Sequence, residues 1–179
     1  MKNDLKRIVI IGTSCSGKTT LARTIAEILG MIHIELDSIH WLPNWQARPL
    51  EEFRNLIQKA VANERWVLDG NYSKTRDIVW AKATTLIWLN YPVHIVYGRA
   101  LYRTMKRVLT QERLYAGNRE TFKKAFLSKD SILWWVITTY HRRRREYPEL
   151  FKQPEYSHLK IIELCTPKEA ERLVANLLS

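Results

Sequence analysis

The chain has 179 residues, 46% hydrophobic and 26% charged, with only 6 Gly and 6 Pro. That is long enough for one α/β domain built on a buried sheet, and it excludes a collagen-like, low-complexity or disulfide-scaffold chain. Lys and Arg number 29 against 18 Asp and Glu, a net charge of +11 that implies an acidic partner.

The N-terminal segment 1–7 is charged and leads straight into an apolar run, leaving no room for a signal peptide, and no apolar run reaches the length of a membrane span. A cytoplasmic protein without membrane attachment is expected. Cys15 and Cys165 suit neither a disulfide framework nor a metal site and are read as reduced thiols.

Ile8-Val9-Ile10-Ile11 reads as a buried strand. It runs directly into Gly12-Thr13-Ser14-Cys15-Ser16-Gly17-Lys18-Thr19, a complete G-x-x-x-x-G-K-[ST] phosphate-binding loop. Gly12 and Gly17 let backbone N–H groups turn inward around phosphate oxygens, Lys18 supplies a point charge, and the Thr19 hydroxyl is suited to Mg²⁺. With Thr20 these residues form the expected nucleotide-contacting set. The helix that follows has Leu21, Ala22, Ile25, Ala26, Ile28 and Leu29 at helical spacing and closes at Gly30.

Residues 31–36 read as a second strand ending at Asp37. On an extended strand Glu35 and Asp37 share a face, and a carboxylate at a strand's C-terminal end lies where open α/β sheets bind ligands; a solvent-exposed edge is the alternative. Segment 38–49 contains Trp41, Trp45 and two prolines and reads as a substrate-side loop, with Trp41 assigned to substrate and Trp45 to packing. A helix over 50–62 presents Leu50, Phe53, Leu56, Ile57, Ala60 and Val61 as one stripe.

Trp66-Val67-Leu68-Asp69 reads as a third strand that breaks at Gly70 into a polar loop, placing Asp69 as a Mg²⁺-water ligand opposite the phosphate loop, or simply as the first residue of an Asp-Gly turn. Residues 84–90 read as a fourth strand. The helix over 93–109 carries Arg99, Arg103, Lys106 and Arg107 on one face. Polar residues 110–128 are expected to form a lid, 127–146 a helix ending in Arg142-Arg143-Arg144-Arg145, 159–164 the last strand, and a capped helix starts near Thr166-Pro167. Strands alternating with helices predict a three-layer domain over 1–179 with a five-stranded parallel sheet.

Taken together, the phosphate loop, Ile34-Glu35-Leu36-Asp37, Trp41-x-Pro43-Asn44-Trp45, Trp66-Val67-Leu68-Asp69-Gly70-Asn71-Tyr72, Ile87-Trp88-Leu89 and Arg99-x-x-x-Arg103 resemble the adenylate-kinase-like P-loop kinases. Within these the chain is most similar to the small bacterial adenylate kinase-like or topology-modulation (FlaR-related) proteins. The resemblance implies a nucleoside-monophosphate-kinase-like P-loop NTPase fold with a helical lid. Nucleoside monophosphate kinases continue Val67-Leu68-Asp69-Gly70 with Phe-Pro-Arg, where this chain has Asn71-Tyr72-Ser73, so the arginine that would hold a monophosphate is missing and Arg76 is the substitute in reach. Shikimate- and gluconate-type kinases have an acidic pair similar to Glu35-x-Asp37. By that resemblance Asp37 orients or deprotonates an acceptor hydroxyl, Glu35 reaches the Mg²⁺ shell, and Arg99 and Arg103 close over the triphosphate.

The function expected from these features is transfer of the ATP γ-phosphate to a small acceptor, a nucleoside monophosphate or a hydroxylated metabolite. Lys18, Asp37, Arg99 and Arg103 are the expected catalytic groups, Thr19 and Asp69 the metal set, and Asp37, Trp41, Asn71, Tyr72 and Arg76 the acceptor contacts. The competing reading is a nucleotide-dependent protein that regulates DNA topology, with Arg142 to Arg145 on backbone phosphates. No recognised nucleic-acid module accompanies that run. The oligomeric state has no signature in the sequence.

Overall fold

The computed structural model of the chain describes residues 5–119 and 131–179. Strands β1 (Arg7–Gly12) and β2 (Ile32–Glu35) are followed by a two-stranded hairpin, β3 (Trp41–Leu42) with β4 (Gln46–Ala47), and then by β5 (Trp66–Asp69), β6 (Thr85–Leu89) and β7 (Lys160–Leu164). β1, β2, β5, β6 and β7 form one sheet in the order β2-β5-β1-β6-β7, and every neighbouring pair is parallel. The helices are α1 (Lys18–Leu29), α2 (Leu36–His40), α3 (Leu50–Ala60), α4 (Arg76–Lys82), α5 (Val93–Thr110), α6 (Ile132–Phe151) and α7 (Pro167–Leu178).

The β-branched run of β1 is central because both of its faces are covered. Ile8 and Ile10 join a core with Leu21 and Ile25 of α1, Val96 and Ala100 of α5 and Leu177 of α7. Val9 and Ile11 point the other way, into a core with Phe53 and Ile57 of α3 and Val79 and Trp80 of α4. This alternation produces the three layers, helices on either side of the parallel sheet.

Helix α6 belongs to both layers. Its first turns supply Leu133 and Val136 to the first core, and its last turns supply Tyr147, Leu150 and Phe151 to the second. Its middle therefore passes from one side of the sheet to the other. The helix continues through Pro148 to Phe151, beyond the end at 146 expected from sequence.

The second strand also differs from expectation. β2 stops at Glu35, and Leu36–His40 turns into α2, where the Ser38 hydroxyl donates to the Glu35 carbonyl at 2.7 Å. Glu35 and Asp37 thus lie on a strand end and a helix's first turn, not on one face of a strand. Leu36, 2% exposed, is the residue that forces the turn inward. It packs so closely on Gly70 (φ +146) that a Cβ there would lie 2.7 Å from Leu36 Cβ.

Trp41 and Trp45, four residues apart, do not share a helix: Trp41 lies on β3 and Trp45 in the tight turn of the β3–β4 hairpin. Leu50 begins α3 but is 45% exposed, so the apolar stripe starts at Phe53. Of the lid expected at 110–128, only 110–119 lies among the described residues, with a short turn at Tyr115–Gly117; the rest, and the expected helix start at 127, lie outside them. At the C-terminus the expected cap is present: the Glu169 N–H donates to Thr166 Oγ1 at 3.3 Å, and Glu169 Oε2 accepts from the Cys165 N–H. Cys15 and Cys165 form no disulfide. Among the described residues no helix is long and apolar enough to cross a membrane.

Candidate active site

The phosphate loop occupies the turn from β1 to α1, at the carboxyl end of the sheet. Gly12 takes φ +150 because β6 runs against it, and a Cβ would come within 2.7 Å of the Leu89 carbonyl. The Ser16 N–H donates to the Thr13 carbonyl at 3.1 Å, and the Arg99 guanidinium on α5 donates to the Ser16 carbonyl at 2.9 Å. The Asn71 side chain bonds Gly12 on both sides: the Gly12 N–H donates to Asn71 Oδ1 at 3.2 Å, and Asn71 Nδ2 donates to the Gly12 carbonyl. Ser14 and Thr20 flank these contacts, at the loop's crest and in the first turn of α1.

Asn71 was expected to contact the acceptor; the structure spends both its amide atoms on the phosphate loop. The Asn side chain does there what a neighbouring strand would do for Gly12. This explains an Asn after Asp69-Gly70 without any substrate.

Thr19 and Asp69, the residues expected to serve a metal, lie in direct contact. Thr19 Oγ1 donates to Asp69 Oδ2 at 2.6 Å, and Asp69 is 4% exposed. The other carboxylate oxygen, Oδ1, accepts from His33 Nε2 at 2.7 Å. His33 was absent from the sequence-derived set. Its signal was available in the register, since β2 lies beside β5 and His33 stands two residues before Glu35, the register partner of Asp69.

Lys18 points back into the loop, its ammonium donating to the Thr13 carbonyl at 3.1 Å. Burial of that ammonium, and then the positive charge of Arg143, pull its pKa down to about 8, against the opposing pull of Asp37 and Asp69. Arg143 lies in the middle of α6, where the helix crosses the strand ends. It is 9% exposed, burial lowers its pKa, and its Nη1 has no hydrogen-bond partner among the described residues. Ser16 Oγ and Arg103 Nε are buried in the same condition. Unpaired buried donors are costly without an anion, and Ser16 in the loop and Arg143, whose charge acts on Lys18, fit a bound phosphate.

The four-arginine run thus divides by helical geometry. Arg143 points inward, Arg144 donates to the Tyr140 hydroxyl at 2.7 Å, and the exposed Arg142 pairs with Glu146 at 3.6 Å. In the sequence the four arginines are alike, and only the crossing path of α6 separates them.

On the acceptor side, Asp37 Oδ1 accepts from the Tyr72 hydroxyl at 2.6 Å, and Glu35 Oε1 accepts from the Tyr115 hydroxyl at 2.6 Å. Burial first, and then the carboxylates, push both phenol pKa values well above the usual range. Both tyrosines therefore stay protonated donors. The His40 ring packs against Trp41, Phe53 and Tyr72, and burial lowers its pKa. Trp45 is not core: its backbone N–H donates to Asn118 Oδ1 at 3.0 Å and its indole N–H to the Arg119 carbonyl at 3.2 Å. Arg76 starts α4 with its guanidinium 4.9 Å from the Trp80 ring, on a crevice shared with Leu36, Asn71, Tyr72 and Tyr147.

No family model matches the chain. It is 29% identical over 129 residues to an uncharacterised protein, YqaC, of Bacillus subtilis (strain 168), covering 71% of this chain and 72% of that one. Among solved structures it is similar to a shikimate kinase from Acinetobacter baumannii, with a TM-score of 0.58 and 17% identity over 97% of this chain and 91% of that one. It is also similar to a gluconokinase from Sinorhizobium meliloti 1021, with a TM-score of 0.53 and 18% identity over 98% and 94% of the two chains. The chain has the α/β fold of the P-loop kinases.

Proposed function

We propose that the protein is an ATP- and Mg²⁺-dependent phosphotransferase that acts on the hydroxyl of a small acceptor. The observation that carries this reading is the pairing of Thr19 with Asp69 beside a phosphate loop whose surrounding buried donors, Ser16 Oγ and Arg143 Nη1, lack partners among the described residues. The shikimate kinase and gluconokinase likeness supports the same class of reaction.

In this reading the loop amides, Lys18 and Ser16 bind the β and γ phosphates. Thr19 and Asp69 would hold Mg²⁺, which would supply charge neutralisation on the phosphate oxygens. Asp37, with one oxygen fixed by Tyr72, turns its other oxygen to the acceptor and takes the hydroxyl proton. The acceptor oxygen bonds to the γ-phosphorus as the bond to the β–γ bridging oxygen breaks, releasing ADP. Arg143 and Arg103 face the charge that develops on the transferred group, while Arg99 holds the loop through Ser16.

Hydroxylated acceptors are favoured over nucleoside monophosphates because Asn71 is committed to Gly12 and Arg76 rests on Trp80. Within the fold we assign the chain to the adenylate-kinase-like, topology-modulation-related group on its Ile34–Asp37 and Trp66–Tyr72 motifs. The test is an ATP-consumption screen across small hydroxy acids, sugars, other alcohols and nucleoside monophosphates. One acceptor class should stimulate turnover, and Lys18→Ala should abolish it while far-UV circular dichroism stays unchanged. ATP affinity unaltered by Lys18→Ala would sink the assignment.

A further inference from the structure

The β3–β4 hairpin and segment 115–119 face each other through two tight turns. Asn44 and Trp45 hold φ of 61 and 58 in one, and Ala116 and Gly117 hold 53 and 76 in the other. Non-glycine residues keep left-handed conformations only where their surroundings over-determine them. Here one side chain contributes three of the bonds. Asn118, 6% exposed, accepts from the Trp45 N–H at 3.0 Å and donates through Nδ2 to the Leu42 carbonyl at 2.9 Å and the Tyr115 carbonyl at 2.8 Å. The Trp45 indole adds a bond to the Arg119 carbonyl.

This clasp connects in two directions. Through the hairpin, Trp45 contacts Trp41 at 5.5 Å, Trp41 contacts His40 at 4.7 Å, and His40 packs at 4.6 Å on Tyr72, which holds Asp37. Through segment 115–119, the Tyr115 hydroxyl holds Glu35, whose register partner on β5 is Asp69, the residue bonded to Thr19. Acceptor wall and nucleotide end thus share one contiguous set of contacts.

We propose that Tyr115 and Asn118 are positioning residues that make the acceptor hairpin respond to nucleotide: Asn118 fixes the hairpin to segment 115–119, and Tyr115 fixes that segment to the strand ends beside the metal set. This rests on the reading that the phosphate loop binds ATP. When Mg²⁺ and nucleotide immobilise Asp69 and Thr19, the Glu35 end of β2 has fewer alternatives, and the ordering passes through the Tyr115 bond to the hairpin. An acceptor that binds next then meets a wall whose ordering cost has already been met, which is positive coupling between the substrates.

Hydrogen exchange followed by mass spectrometry on the full chain, with and without Mg²⁺ and a non-hydrolysable ATP analogue, tests this. In the wild type, exchange should slow in 12–19 and, by about threefold or more, in 41–47. In Tyr115→Phe, 12–19 should still slow, the hairpin should exchange at its wild-type rate before nucleotide, and its response to nucleotide should vanish. In Asn118→Ala the hairpin should exchange about tenfold faster before nucleotide is added. A hairpin unaffected by nucleotide while 12–19 slows, or a Tyr115→Phe hairpin that responds as the wild type does, overturns the proposal and leaves the ATP reading intact. Failure of 12–19 to slow overturns the ATP reading itself, and the coupling with it.

Discussion

The two halves of the candidate site are built on different principles. The donor half is built around one unbroken stretch, Gly12 to Thr19, held by backbone bonds and by Asn71 and Arg99 gripping its carbonyls. The acceptor half is collected from distant segments: Asp37 from α2, Tyr72 after β5, the tryptophans from a hairpin, Tyr115 and Asn118 beyond α5. Phosphates present the same oxygens in every nucleotide, so a fixed backbone cradle serves them. Acceptors differ in shape and charge, and side chains on separate elements can change without disturbing that cradle.

Arg143 is where the comparison is easiest to break, since it comes from a distant helix yet serves the donor half. Arg143→Met keeps the apolar stem and removes the charge. Turnover should fall about a thousandfold, the effect expected of an arginine that stabilises a transferring phosphoryl group. Arg142→Met, exposed one residue earlier, should change turnover by less than about twofold. Steady-state kinetics of the pair decides the point, and equal losses would contradict the division of the run.

The donor half also carries a cost that the acceptor half does not. Lys18 titrates near 8 in the folded chain because of burial and then Arg143, against 10.5 for the ordinary side chain. Between those values the unfolded chain binds more protons than the folded one, so stability rises with pH across that window and is flat below it. Relative to Lys18→Met, the ligand-free wild type should gain up to about 3 kcal/mol between pH 8 and 10.5. Urea midpoints at pH 7.5 and 10 measure the gap. A gap that does not change with pH would place the ammonium in solvent.

What could be read from sequence follows the same division. β1, the phosphate loop and α1 were legible because strand, loop and helix are adjacent and each has a local signature: β-branched residues, paired glycines, helical spacing. Asp69 was legible as the residue at which an apolar run ends. Asp37 was legible as the carboxylate that follows an apolar run but not as a helical residue, because the turn at Leu36, which packs against Gly70, leaves no trace in the spacing. The bonds of Asn71 and Trp45 were not legible, for a shared reason. Each spends its polar atoms on a backbone segment far away in sequence, Gly12 and 118–119, and spacing carries no trace of such a bond. Arg143 was hidden because four successive arginines look alike until the helix is threaded between two cores.

His33 sharpens the comparison at its finest scale, since it is a donor-half residue that no motif contains. Asp69 is almost fully buried, and a carboxylate in that position needs each oxygen paired. Thr19 serves one oxygen and the His33 Nε2–H the other, so His33 sets the rotation of the carboxylate proposed to serve Mg²⁺. Partners of this kind typically alter metal affinity about tenfold to a hundredfold. His33→Ala should therefore weaken Mn²⁺ binding, followed by electron paramagnetic resonance in the presence of a non-hydrolysable ATP analogue, by about tenfold. His33→Gln retains an N–H donor and should recover most of the loss, while metal-free nucleotide affinity should be the same in both variants. Unchanged Mn²⁺ affinity in His33→Ala would mean that Thr19 alone orients Asp69. Loss of metal-free nucleotide binding would instead mark His33 as support for the loop as a whole, because only a contact that acts through Asp69 separates the two affinities.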